Sequence, residues 1–83
     1  MTYAVEWSKD ALKTLRRIDR LTSARIIRAV ERLATTGHGD VKKLVGGDLY
    51  RLRVGDWRVI FTRDDSVRVI FVERVAPRGG AYR

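Results

Sequence analysis

The alternation of apolar and polar positions is most regular over residues 49–75, where it predicts three consecutive β-strands. A two-residue turn at Gly55 and Asp56 joins the first two of these strands as a hairpin. One side of the hairpin is then apolar and carries Tyr50, Leu52, Val54, Trp57, Val59 and Phe61. The opposite side carries Arg51, Arg53, Arg58 and Ile60. Because like charges that face each other destabilise a sheet, this cluster predicts an anion-binding surface.

The connection between the second and third strands is predicted to be a three-residue loop over residues 64–66. This loop length places Phe61 opposite Val69, so that apolar residues meet across the ladder. A two-residue loop would instead place Phe61 opposite Arg68 and mix the two faces of the sheet.

One strand and two helices are predicted before these three strands. Residues 2–7 alternate between apolar and polar side chains and predict the strand. Apolar positions at helical spacing predict a helix capped by Ser8, and a second helix capped by Thr22 or Ser23. Gly37 predicts the end of the second helix.

Residues 38–47 are predicted to be a loop, which contains the sole histidine, His38, as a solvated residue. The sequence therefore predicts one α+β domain over residues 1–83 with the element order β-α-α-β-β-β. In this fold a helical hairpin packs on one face of a small antiparallel sheet, and the arginines lie on the other face.

Composition narrows the class of partner. The formal net charge is +8, with 18 Lys and Arg against 10 Asp and Glu, and arginines outnumber lysines by 14 to 4. An excess of arginine favours an anionic partner, since the guanidinium group binds phosphate through two hydrogen bonds. The chain has no cysteine and no long apolar run. We therefore expect a cytoplasmic protein with no metal, no cofactor and no membrane partner.

The candidate site combines the arginine cluster with the C-terminal tail. We expect Arg51, Arg53 and Arg58 to be joined there by Arg78 and Tyr82. Such a set suits attack of a ribose 2′-hydroxyl on its own 3′-phosphate, because arginines hold the phosphate and stabilise the developing charge. Arginine stays protonated and is a poor base, so Tyr82 is expected either to act as the base or to stack on a nucleobase. Further RNA contacts are expected from Lys42, Lys43, Arg68, Arg74 and Arg83.

Two motifs in this region resemble those of a known family. They are Gly-Asp-Leu-Tyr-Arg-Leu-Arg-Val-Gly-Asp-Trp-Arg-Val-Ile-Phe over residues 47–61 and Pro-Arg-Gly-Gly-Ala-Tyr-Arg over residues 77–83. Together with the opening strand and helices, they make nearly the whole chain resemble the RelE branch of the RelE/ParE toxin superfamily. The resemblance implies a RelE-like, microbial-RNase-like fold and a type II toxin. Such a toxin cleaves mRNA in the ribosomal A site, and a cognate RelB-like antitoxin neutralises it.

The resemblance also implies roles for individual residues. Arg58 and Arg78 are expected to stabilise the phosphate, and Tyr82 to orient or activate the nucleotide. Arg51 and Arg53 stand where well-studied relatives carry two lysines, so their expected role is electrostatic stabilisation alone. Many relatives have histidine before the late arginine, where this chain has Pro77.

Two other functions remain open from the sequence. One is a non-enzymatic inhibitor of DNA gyrase, as in the ParE branch, which shares the fold and differs in its target. The other is an RNA-binding module without catalytic activity. An assay of gyrase supercoiling against translation separates the first alternative from the ribonuclease, and RNA binding without cleavage is the mark of the second.

Overall fold

A computed structural model describes residues 2–78, so Tyr82 and Arg83 lie outside the described residues. In chain order the elements are β1 (Ala4–Trp7), α1 (Lys9–Arg17), α2 (Arg20–Thr36), β2 (Asp40–Lys43), β3 (Tyr50–Val54), β4 (Trp57–Asp64) and β5 (Val69–Pro77). The strands form one sheet in the order β1-β5-β4-β3-β2, and α1 and α2 pack on one side of it. The predicted α+β class with a helical hairpin on a sheet is confirmed. The sheet has five strands and is mixed, because β1 runs parallel to β5.

The helices begin and end at capping residues. The Ser8 side chain accepts a hydrogen bond from the Ala11 amide and begins α1, as predicted. The Asp19 carboxylate accepts a hydrogen bond from the Thr22 amide and begins α2, so the predicted cap at Thr22 or Ser23 is wrong. A carboxylate reaches the free amides of a first turn as well as a hydroxyl does. Neither helix in residues 2–78 is long and apolar enough to cross a membrane.

The β3–β4 hairpin has the predicted register. Tyr50 pairs with Phe61, Arg53 pairs with Arg58, and Gly55 at the turn has a φ of 58°. The predicted apolar side faces the helices. Its buried members are Leu52, Val54, Val59 and Phe61, and they pack against Ile26, Val30 and Leu33 of α2.

The β4–β5 connection differs from its prediction. Asp64 pairs with Val69 across a four-residue turn, so Phe61 lies opposite Val72 and not opposite Val69. The Asp64 carboxylate accepts hydrogen bonds from the Ser66 amide (3.0 Å) and hydroxyl (2.6 Å), which stabilises this longer turn. A register shift between Ile60 and Phe61 then restores the alternation, and Val72 and Val75 are both buried on the helical side.

β2 lies within residues 38–47, which were predicted to be a loop. All four of its residues are exposed, and Val41 is its one apolar side chain. Its pairing partner is the edge of β3, where Lys42 lies opposite Arg51. The strand therefore depends on backbone pairing with its neighbour, and charged side chains are common on such edge strands.

A polar cluster fastens β1 to the β4–β5 turn. The Tyr3 hydroxyl donates a 2.6 Å hydrogen bond to Asp65, which raises the pKa of Tyr3 above its ordinary value. Arg63 forms an ion pair with the same carboxylate at 2.9 Å and lies over the ring of Tyr50. This cluster lies at the end of the sheet opposite the β3–β4 turn.

Candidate functional site

The open side of the sheet carries two rows of directly paired residues, and we name this surface the arginine face. The first row is Lys42, Arg51, Ile60 and Arg74. The second row is Asp40, Arg53, Arg58 and Ala76. Paired residues in neighbouring strands point to the same side of a sheet, so the three predicted arginines share one surface.

The arginines differ in how far they are exposed. Arg53 is exposed and Arg58 is half-buried, whereas the Arg51 side chain is 14% exposed. Ile60 and Ala76 are buried between them and form an apolar floor. An open concavity of about 430 Å³ lies over this region and is lined by Lys42, Lys43, Leu44, Val45, Arg51, Arg53 and Arg58. Its size and its cationic lining suit a phosphate group with part of a nucleotide.

Asp40 also lies on the arginine face, a position that was not predicted from the sequence. It lies opposite Arg53, and its Oδ1 atom is 3.7 Å from an Nη atom of Arg51. The carboxylate is 64% exposed, so the ion pair leaves it open to solvent. The prediction of a loop over residues 38–47 hid this position. The alternation of Asp40 and Lys42 around Val41 was the available signal, although it is too short to be decisive.

Arg78 lies at the hairpin end of the arginine face. Its amide donates a 2.7 Å hydrogen bond to the carbonyl of Asp56, which extends the pairing of Pro77 with Trp57. The side chain is exposed, and alternation from Ala76 directs it to the arginine face. The structure thus brings the late arginine to the end of the sheet where Arg58 lies.

The other predicted contact residues differ in their distance from this cluster. Arg68 is in the β4–β5 turn with a φ of 56°, and its carbonyl accepts a hydrogen bond from the Ala4 amide. Lys43 pairs with Tyr50, whose side chain packs on the helical side of the sheet, and it also lines the concavity over the arginine face. Arg74 is on the arginine face, and its Nε atom is 3.7 Å from the carboxylate of Asp10. Arg83, like Tyr82, is outside the described residues.

Comparison with known protein families gives one match over most of the chain. Residues 5–82 match the sequence model of a family described as the ParE toxin of the type II toxin–antitoxin system parDE. A Methanocaldococcus jannaschii protein named RelE1 is 31% identical over 88 residues, which cover 100% of this chain and 98% of that protein.

Solved structures agree with these sequence matches. RelE in the archaeal RelE–RelB complex from Pyrococcus horikoshii OT3 is 34% identical, with a TM-score of 0.82 over 98% of this chain and 100% of that chain. A mutant form of free Escherichia coli RelE shares the fold at 23% identity, with a TM-score of 0.79 over 98% of this chain and 88% of that chain. The chain therefore belongs to the RelE/ParE superfamily of type II toxin–antitoxin toxins.

Proposed function

We propose that this toxin is an endoribonuclease that cleaves mRNA in the ribosomal A site and thereby inhibits translation. The observation that carries the proposal is the placement of Arg51, Arg53 and Arg58 on one open face, with Arg78 at its end. A surface with this charge binds a phosphodiester, and an mRNA strand in the ribosome is a single strand whose backbone is accessible. The similarity to proteins named RelE supports the same conclusion.

The chemistry follows from the groups on the arginine face. The 2′-oxygen attacks the adjacent phosphorus, a new O2′–P bond forms and the P–O5′ bond breaks. The leaving 5′-oxygen takes a proton from solvent water, so that the products are a 2′,3′-cyclic phosphate and a 5′-hydroxyl. Arg58 and Arg78 hold the phosphate and stabilise the charge that develops on it. Arg51 and Arg53 add to the positive potential and position the strand.

A proton acceptor is needed for the attacking hydroxyl, and we assign this role to Asp40. Its carboxylate lies in the same row as Arg53 and Arg58, and it is exposed to a ligand on that face. A carboxylate within hydrogen-bonding reach of the hydroxyl accepts its proton as the new bond forms. Tyr82 then has the role of orienting the nucleotide, for example by stacking on its base.

The antitoxin partner follows from the relatives. The Pyrococcus horikoshii structure is a RelE–RelB complex, and Escherichia coli RelE has also been solved in an intact RelBE complex. We propose that a cognate RelB-like antitoxin binds this toxin in the cytoplasm. Because the toxin has a net charge of +8, an acidic segment that folds over the arginine face would neutralise it.

The test of this function is to add the purified toxin to ribosomes translating a defined mRNA and to map the 5′ ends that result. We expect new ends in register with the codons, each with a 5′-hydroxyl. The same mRNA without ribosomes measures any free activity. A known RelE relative run in parallel shows that the conditions permit cutting. If the relative cuts the mRNA on ribosomes and this toxin does not, the proposal is rejected.

Inhibition of DNA gyrase is the second candidate, and the matched ParE family model favours it. In that case the arginine face would not act on RNA phosphates, and the toxin would block supercoiling while translation in an extract continued. A supercoiling assay with purified gyrase, run beside the translation extract, separates the two functions.

A further inference from the structure

The outer side of α2 carries a stripe of arginines that the proposed cleavage site does not use. Arg25, Arg28 and Arg32 are exposed and are spaced so that they lie on one side of the helix. The opposite side of α2 holds Ile26 and Val30, which are buried in the core. The positive charge of the toxin therefore extends beyond the sheet to the helical layer.

Arg25 is placed directly on the β3–β4 turn. A β-carbon built on Gly55 would lie 2.9 Å from Nη1 and 3.3 Å from Cζ of Arg25. The φ of 58° at position 55 favours glycine over other residues. The absence of a side chain there also leaves room for the guanidinium group of Arg25. Among residues 2–78, no carboxylate forms an ion pair with Arg25, including that of Asp56 in the same turn.

The β3–β4 turn borders the arginine face, so Arg25 continues that face around the end of the sheet. Arg53 is two residues before Gly55, and Arg58 is two residues after Asp56. At a rise of about 3.3 Å per residue, the Cα atom of Arg53 is roughly 7 Å from that of Gly55. Arg78 is hydrogen-bonded to the same turn through its amide. Cationic groups thus run from the arginine face, across the turn and onto α2.

We propose that Arg25 is a phosphate-binding residue for the RNA strand where the strand leaves the arginine face and crosses the β3–β4 turn. The proposal rests on the ribonuclease function and adds a contact one or more nucleotides from the bond that is cut. A guanidinium group binds a phosphate through two parallel hydrogen bonds, and a flexible single strand follows a curved cationic surface. RNA is favoured over an acidic peptide because the path begins at the surface proposed to hold the scissile phosphate.

The experiment compares wild type, Arg25→Gln and Arg16→Gln in binding two RNAs by fluorescence anisotropy at several salt concentrations. One RNA is a trinucleotide and the other is an oligonucleotide of about nine nucleotides. Both carry a 2′-deoxyribose at every position where cutting is possible, so that binding is measured without cleavage. Arg16→Gln is the matched control, because Arg16 is an exposed arginine of α1 that belongs neither to the arginine face nor to the β3–β4 turn. Circular dichroism and thermal melting confirm that each variant is folded.

We expect Arg25→Gln to weaken binding of the longer RNA roughly fivefold and to reduce its salt slope by about 0.7, the value for one phosphate contact with a single strand. Binding of the trinucleotide should stay at the wild-type level, and Arg16→Gln should bind both RNAs as tightly as the wild type does. An equal loss in the two variants, or no loss in Arg25→Gln, would overturn the proposal. Loss of binding to a synthetic acidic peptide without loss of RNA binding would also overturn it, in favour of a protein partner.

Cleavage on ribosomes is measured separately with the wild type. If the wild type does not cut mRNA but Arg25→Gln still shows the length-dependent loss, the ribonuclease function fails and the phosphate contact stands. If the wild type cuts and Arg25→Gln binds both RNAs normally, the ribonuclease function stands and the phosphate contact fails.

Discussion

At the scale of single residues, the candidate site has arginine at positions 51 and 53, where a lysine could take part in proton transfer. Arg51 and Arg53 supply charge and planar hydrogen-bond donors, but a guanidinium group does not give up its proton in a protein. The structure places Asp40 in the same row as Arg53, with one carboxylate oxygen 3.7 Å from a guanidinium nitrogen of Arg51 in the neighbouring row. In the proposed division of labour, the arginines hold the phosphate and the carboxylate accepts the proton.

Asp40→Asn tests this division of labour. The amide keeps the shape of the side chain but cannot accept the proton, so we expect single-turnover cleavage on ribosomes to slow by about 100-fold or more. Toxin binding to RNA should stay close to the wild-type value.

Asp48→Asn serves as the control, because Asp48 is an exposed residue of the β2–β3 connection and the charge change is the same. If Asp40 only holds Arg51 in place, Asp40→Asn would weaken RNA binding by about the same factor as it slows cleavage. That result would remove Asp40 from the chemistry.

At the scale of elements, α2 is the element that joins the helical layer to the sheet. Ile26 is 0% exposed and packs among Leu52, Val59 and the other buried residues of the core. We expect Ile26→Ala to lower the free energy of unfolding by about 2–5 kcal/mol, since it removes buried methyl and methylene groups and leaves a cavity. Leu21→Ala is the matched control on the same helix, because Leu21 is 84% exposed. Urea denaturation measures both, and equal losses would contradict the described packing of α2.

The start of α2 gives the fold a dependence on pH. The hydrogen bond from Thr22 lowers the pKa of Asp19 below its ordinary value of 3.8. The ionised carboxylate is therefore favoured in the folded chain, and its contribution to stability is present above the ordinary pKa and is lost as the pH falls through the lowered value. The Asp64 carboxylate behaves in the same way, because hydrogen bonds from Ser66 lower its pKa.

We expect Asp19→Ser to lose less stability than the wild type when the pH falls from about 6 to about 2. Serine keeps the hydrogen bond that caps the helix but has no carboxylate to titrate. Denaturation curves at a series of pH values measure the effect, and some sensitivity to acid should remain because of Asp64. Parallel curves for the two proteins would show that Asp19 does not contribute.

The individual elements also show which parts of the fold could be predicted from the sequence. Gly55 determined the β3–β4 turn, so the register of that hairpin and the placement of its arginines on one face were correctly predicted. The β4–β5 register was not predictable from alternation, because Asp64 stabilises a longer turn and a bulge then corrects the faces. β2 was missed because its four residues are exposed and polar, and an edge strand of this kind forms through pairing with its neighbour. Asp40, the carboxylate of the site, was missed for the same reason.

At the scale of the whole molecule, the helical layer and the sheet contribute differently. The helices supply the apolar surface that covers one side of the sheet, and the other side is left open with its arginines. A net charge of +8 favours polyanionic partners, and we propose that the arginine face binds a phosphate. The central claim is that the phosphate of the bond being cut lies on this face.

The most direct test of that claim is the rate of cleavage of ribosome-bound mRNA by Arg58→Ala, compared with the wild type and with Arg16→Ala. Arg58 lies at the centre of the arginine face, and Arg16 is an exposed arginine of α1. If Arg58 stabilises the transition state, the folded Arg58→Ala variant should cut at least about 100-fold more slowly than the wild type. Arg16→Ala should cut at the wild-type rate. Cleavage by Arg58→Ala at the wild-type rate would contradict the account.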